Sequence, residues 1–262
     1  MDAESVVEES QYAGWVRQFT ARAELRGAGR LEPDWARESR LHPAIVRSLQ
    51  RFQVGESGDG ANLLGKAAEA GPGGYVEAAR LFVAEEQNHA RLLALLLRAV
   101  HAPLLDSHWS DTVFVRLRRA CGLRLELMVL LIAEVVALGY YRALRDGADD
   151  ALAAEVGGLI LADERGHVPF HCQRLRDEFA GWPRGARRAV GALWRILLRG
   201  TVVTVAIDHG SALRRLGVGR WQFVDEVTRE FRAATHSILR YEDGREPAAS
   251  SAAAAAPVTF GT

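Results

Sequence analysis

The stretches "LFVAEEQNHARLL" (81–93) and "LILADERGHVPFH" (159–171) each set a glutamate and a histidine three residues apart in an apolar helical pattern: Glu86 with His89, and Glu164 with His167. One Glu-x-x-His says little in a chain of this length. Here each is accompanied by a second coincidence. Thirty residues before Glu86 stands Glu56, in "FQVGESGDG", and thirty residues before Glu164 stands Glu134, in "LLIAEVVAL". Each half therefore reads Glu, 29 residues, Glu-x-x-His.

The midpoint of 56 and 86 is Gly71, the first residue of "GPGG" (71–74), and the midpoint of 134 and 164 is Asp149, inside "DGADD" (146–150). A chain that turns there climbs about 22 Å along one helix and descends as far along the next, at 1.5 Å per residue. The two glutamates of each half then arrive at one height on adjacent antiparallel helices. The i, i+3 spacing puts each Glu and His on one helix face. Two such hairpins packed together predict an all-α four-helix bundle with four carboxylates and two imidazoles in its middle. Unpartnered, such carboxylates repel one another and lose hydration at a cost on the order of several kcal/mol each. Two divalent cations cancel that charge, and oxygen ligands mixed with imidazoles suit iron or manganese.

The chain has 262 residues, 48% of them apolar and 25% charged, enough for one soluble domain with a sizeable core. Acidic and basic residues balance at 33 each, so no global field favours nucleic acid or an anionic membrane. Lys66 is the only lysine. "WPRGARR" (182–188) and "RRLGVGR" (214–220) are the only basic clusters that nucleic acid could use. The acidic N-terminus lacks the pattern of a secretory signal. The most apolar run, "LELMVLLIAEVVALGYY" (125–141), is short for a membrane span and contains Glu126 and Glu134. Cys121 and Cys172 form neither a disulfide framework nor a CxxC motif, so a cytoplasmic location is expected.

Apolar residues at spacings of three and four predict helices over about 5–26, 43–70, 75–100, 112–146, 150–180 and 185–216, and a last one ending near Tyr241. The β-prone run "TVVTVAI" (201–207) is read as the buried face of the 185–216 helix. A single helical domain is expected over 1–243, with the metal-binding bundle at 43–180 and the segment 101–111 as a crossover between hairpins. Residues 244–262 are expected to be a disordered, Ala-rich tail.

With its doubled motif, the chain resembles the ferritin-like superfamily, and within it the carboxylate-bridged di-iron oxidases and oxygenases. The resemblance covers residues 43–180. It implies that Glu86 and Glu164 bridge two metals, that Glu56 and Glu134 are terminal ligands, and that His89 and His167 each bind one metal. Glu85 and Asp163, just before the bridging pair, are candidates to accept the outer N–H of the ligand histidines, with a solvated acid as the alternative for each. His171, one turn beyond His167, is a third ligand, a proton shuttle or a core histidine.

Glu134 has Leu130, Leu131, Ala137 and Leu138 as helical neighbours, which places it on an apolar face. Glu56 lies among glycines. Either it is an exposed loop acid, or the missing side chains open space beside the metals, with Phe52 and Gly60 lining that pocket. Asp208 and His209 are expected on the surface, and His42, His101, His108 and His236 have no assigned role.

Members of the family differ in what surrounds the cluster. Ribonucleotide reductase small subunits carry a tyrosine one turn after the first histidine, where this chain has Leu93, and rubrerythrins carry CxxC pairs, which are absent here. Storage ferritins lack two additional C-terminal helices, which here could cover the site with Trp194, Leu197 and Val205. The resemblance thus implies an O2-dependent oxidoreductase with two iron or manganese ions, acting on a small organic substrate, with electrons from a separate donor or from the substrate itself. The alternatives are a ferroxidase, a peroxidase or a manganese catalase, and a non-catalytic metal-binding helical protein. Oligomeric state is left open by the sequence.

Overall fold

The chain reverses at both predicted midpoints. Helix α2 (Pro43–Glu56) and helix α3 (Ala61–Ala70) lead to Gly71 and Pro72, after which α4 (Gly73–Ala99) runs back. Helix α5 (Leu123–Gly147) ends just before Asp149, and α6 (Ala151–Phe179) returns beside it. The computed structural model describes residues 3–108 and 122–239, with side chains from residue 11 onward. Helix α1 (Ala3–Gly27) precedes the hairpins, and α7 (Arg184–Asp208), α8 (Gly210–Arg215) and α9 (Arg220–Leu239) follow them. All the regular structure among the described residues is helical.

Local chemistry sets the boundaries. His42 stands at the N-cap of α2, where its Nδ1 accepts the Ala44 N–H at 3.1 Å, and Pro43 follows at the first helical position. Asp150 caps α6 by accepting the Ala153 N–H at 2.8 Å. Its other oxygen accepts the Arg40 N–H at 2.8 Å, which ties the segment before α2 to the second hairpin.

The two hairpins form the expected bundle. Helix α5 packs along α6, α2 and α3 pack along α4, and α4 faces α6. Leu92, Leu93, Leu96 and Leu97 of α4 and Leu127, Leu131, Val135 and Leu144 of α5 belong to one continuous buried core. Burying each such side chain stabilises the fold by about 1.5–3 kcal/mol. Helix α5 is buried around most of its circumference, as an apolar helix in the centre of a bundle should be. Helices α5 and α7 are both long and apolar enough to cross a membrane by length and composition. Some 83% of the apolar window of α5 is buried inside the protein, against 28% for α7, which exposes Leu193, Ile196 and Ile207.

Several expectations need correction. The helix predicted over 43–70 is interrupted at residues 57–60. Asp59 accepts the Ala61 N–H at 3.0 Å and Gly60 adopts φ +67°, a left-handed turn that stops one helix and starts the next. The helix predicted over 185–216 divides at His209 into α7 and α8. The first helix of the second hairpin begins at Leu123, with Gly122 extended at its N-cap, rather than running unbroken from 112. The 109–121 part of the expected crossover and helix start, and the expected tail, lie outside the described residues.

Of the additional helices, α9 packs on both α5 and α6. Helix α7 packs mainly on α9, where Trp194 meets Phe231 at 5.1 Å and donates its indole N–H to the Met128 carbonyl at 2.9 Å. Helix α1 lies along α4 and also brings aromatic rings to the bundle: Phe19 lies 6.1 Å from the His167 ring, and Trp15 and Tyr12 both pack on Phe170.

Candidate metal centre

Glu86 and His89 project from the middle of α4, Glu164 and His167 from the middle of α6, Glu134 from α5, and Glu56 is the last residue of α2. Their ligating atoms form two sets. One atom each from Glu56, Glu86, His89 and Glu164 lie within 4.8 Å of one another, and so do atoms from Glu86, Glu134, Glu164 and His167. Glu86 and Glu164 belong to both sets. The structure therefore brings together all six residues of the doubled motif, in two clusters each able to chelate a metal ion.

Both imidazoles turn Nδ1 inward. His89 Nδ1 lies 3.3 Å from Glu86 and 3.4 Å from Glu164, and His167 Nδ1 lies 3.2 Å from Glu86 and 3.3 Å from Glu134. The outer nitrogens are held across the bundle, not along their own helices. His89 on α4 donates from Nε2 to Asp163 on α6 at 3.2 Å, while His167 on α6 donates from Nε2 to Glu85 on α4 at 3.0 Å. With each Nε2 committed to these acids, each Nδ1 is left facing the carboxylates, to meet a proton or a metal ion there. His89 Nδ1, His167 Nδ1, Glu86 Oε1 and Glu164 Oε2 are buried without hydrogen-bond partners. Imidazole nitrogens and carboxylate oxygens packed this closely need protons or cations between them, so the donor set fits a divalent pair.

Helix α1 completes this arrangement. Arg26 Nη1 donates to Glu85 at 2.8 Å, and Arg22 Nε donates to Asp163. Glu85 is fully buried and Asp163 is 4% exposed, so each arginine compensates a charge that water cannot reach. The solvated alternative for both acids is thereby set aside. The two arginines were not apparent from the sequence, because their partners lie 59 and 141 residues away.

Without metal the cluster holds protons unequally. Burial, reinforced by the Glu134 charge, pushes Glu164 up to about 8. Burial and the charges of Glu86 and Glu164 raise Glu56 well above the usual carboxylate range. Burial alone would raise Glu86 and Glu134 too, but the histidine rings that face them hold Glu86 at about 2 and keep Glu134 low. Burial opposes protonation of His89 and His167, and their carboxylate partners outweigh it and raise both.

The remaining candidates fall in different places. His171 is fully buried, with Nε2 3.6 Å from Glu134 and neither nitrogen hydrogen-bonded; its atoms lie outside both ligand sets. Glu56 accepts a hydrogen bond from Tyr141 Oη at 2.6 Å, so it is anchored rather than a free loop acid. The space expected beside Gly60 is filled, since a Cβ there would come within 2.5 Å of Val83. Phe52 stacks on Tyr140 at 3.8 Å and also meets His209. His209 is buried, not on the surface, and its Nδ1 lies 2.7 Å from Ser48 Oγ, which donates to Tyr140 Oη. Asp208 is partly exposed and pairs with Arg51 at 2.8 Å.

Solvent reaches the cluster on one side. Glu134, Glu164, His89 and His167 are at most 3% exposed, whereas Glu86 is 21% exposed and Glu56, at the helix break, is half-buried. No protein-family model matches the chain, and no curated protein matches it.

Proposed function

We propose that this chain is an O2-dependent oxidoreductase of the carboxylate-bridged di-iron type, related to the ferritin-like proteins, acting on a small organic substrate. The observation that carries the reading is the sharing of Glu86 and Glu164 between two ligand sets, each completed by its own glutamate and histidine. Glu86 and Glu164 would bridge, Glu56 and His89 would complete one site, and Glu134 and His167 the other. Bound there, two ferrous ions would supply the electrons that O2 needs for reaction with an organic molecule.

The protein's own residues prepare that chemistry. Asp163 and Glu85 fix the orientation of the ligand histidines, and Arg22 and Arg26 set a cation beside each of those two acids. The aromatic shell of Phe19, Phe82 and Phe170 keeps water from the α1 side: Phe82 lies 4.7 Å from the rings of both His167 and His171. The half-open edge at Glu56 and Glu86 is where O2 and substrate would approach. Tyr141 holds Glu56 at that edge, where a terminal carboxylate would otherwise be free to swing.

The test is anaerobic loading with ferrous iron, metal counting, and absorbance on admitting O2. Two irons per chain and a transient visible band are expected. Zero or one iron, or two irons inert to O2, would overturn the reading in favour of manganese or a structural cluster. The edge at Glu56 also admits ferrous ion and peroxide, so turnover of each is measured on the same preparation to separate a substrate oxidase from a ferroxidase or catalase.

A further inference from the structure

At the opposite end of α2 from Glu56, the helix start meets α8 in a surface cleft of about 490 Å³ lined by His42, Ala44, Arg47, Ser211, Arg214 and Arg215. Arg47 and Glu56 are nine residues apart on one helix, about 13 Å along its axis, so this cleft is separate from the metal centre. Its three arginines are exposed. Among the described residues none of the three has a carboxylate partner, and Arg214 reaches only the Ser211 hydroxyl, at 3.4 Å.

Exposed arginines without a carboxylate partner also occur elsewhere in the described residues, Arg229 being one; what sets these three apart is that they line one cleft. Acids and bases balance over the whole chain, and Arg22, Arg26, Arg37, Arg51, Arg91, Arg142 and Arg174 all have acidic partners. Even Arg51, one turn along α2 from Arg47, is neutralised by Asp208. Three like charges around one cleft repel one another, and all three side chains are exposed rather than packed into the core. A monocarboxylate would leave most of this charge uncompensated. Several phosphate oxygens, carrying two or more charges, match three guanidinium forks and a hydroxyl. The cleft is also wider than a bare ion needs.

We propose that this cleft binds the phosphate or diphosphate group of an organic ligand, with Arg47, Arg214 and Arg215 as the charged contacts and Ser211 as a neutral donor. The proposal does not depend on the metal centre. Free phosphate esters and phospholipid headgroups offer the same chemistry, and the test separates them.

The full-length chain, in chelator so that the probe meets no metal, is titrated calorimetrically with inorganic pyrophosphate at a fixed ionic strength of about 0.15 M. Saturable binding at one site per chain is expected. Arg214→Ser combined with Arg215→Ser should weaken it at least about tenfold, the loss expected for charge-assisted hydrogen bonds, while Arg229→Ser on exposed α9 should not. Binding that does not saturate, or that ignores the cleft variant, or that falls equally with Arg229→Ser, overturns the proposal. Sedimentation with phosphatidate-containing vesicles, lost in the same double variant, would assign the site to a lipid headgroup; pyrophosphate binding without sedimentation would assign it to a soluble ester.

Discussion

At the residue scale, the consequential feature is that two carboxylates serve two ligand sets. Glu86→Ala or Glu164→Ala removes an oxygen donor from both, so each variant should lose at least one of two bound metal equivalents. Full retention of two metals by either variant, measured by elemental analysis after gel filtration, would refute the bridging roles. His171→Ala should keep both equivalents, because its atoms stand outside both sets; loss of one would make His171 a ligand. Arg26 is a sharper probe, since it touches no ligand directly. Arg26→Ala leaves the buried Glu85 carboxylate without its closest cation, and should destabilise the protein by about 1–3 kcal/mol. Arg26→Lys should restore that stability in part if charge compensation is what matters, and a lysine variant no more stable than alanine in chemical denaturation would speak against it.

At the scale of elements, the parts legible in the sequence were those governed by one periodicity. The positions of Glu86, His89, Glu134, Glu164 and His167 follow from a fixed rise per residue and from turns at Gly71–Pro72 and Asp149–Asp150. Where a single residue redirected the chain, pattern reading failed. A helix face carries straight through 57–60 and through His209 on paper, yet Gly60 enters a left-handed turn and His209 ends α7, swinging its ring in against Ser48 and Phe52. The contribution of α1 was hidden for another reason: Arg22, Arg26 and Phe19 gain meaning only through partners far along the chain. The break at Gly60 makes its own prediction. Gly60→Ala would need a left-handed backbone at a non-glycine residue and would press on Val83, so a loss of about 1–3 kcal/mol in chemical denaturation is expected. Gly58→Ala, with open space and no left-handed φ, should be near neutral. Equal effects from the two would remove the turn as the cause.

At the scale of the whole molecule, charge and pH tie the fold to the metal. Two divalent ions would balance the four clustered glutamates, as Arg26 and Arg22 balance Glu85 and Asp163, whereas the metal-free interior must hold protons. The raised groups are Glu56, Glu164, His89 and His167, with Glu164 at about 8. A group whose folded value lies above its unfolded one supports the fold at low pH and loses that support as pH climbs through the folded value. The metal-free protein should therefore lose stability between about pH 5 and pH 8. Glu86, held at about 2, and the lowered Glu134 add no slope there, since both stay ionised throughout. Metal reverses the trend, because it binds the deprotonated groups and releases their protons, so its apparent affinity should increase with pH over the same window. At a hundredfold excess over its dissociation constant, each bound equivalent adds about 2.7 kcal/mol to stability. The difference in Tm between loaded and metal-free protein should consequently widen from pH 5 to pH 8, and loading at pH 7 should release protons measurable with an indicator dye. A gap that stays constant across that range, with no proton release, would show that the buried carboxylates and imidazoles are not the groups the metal displaces protons from.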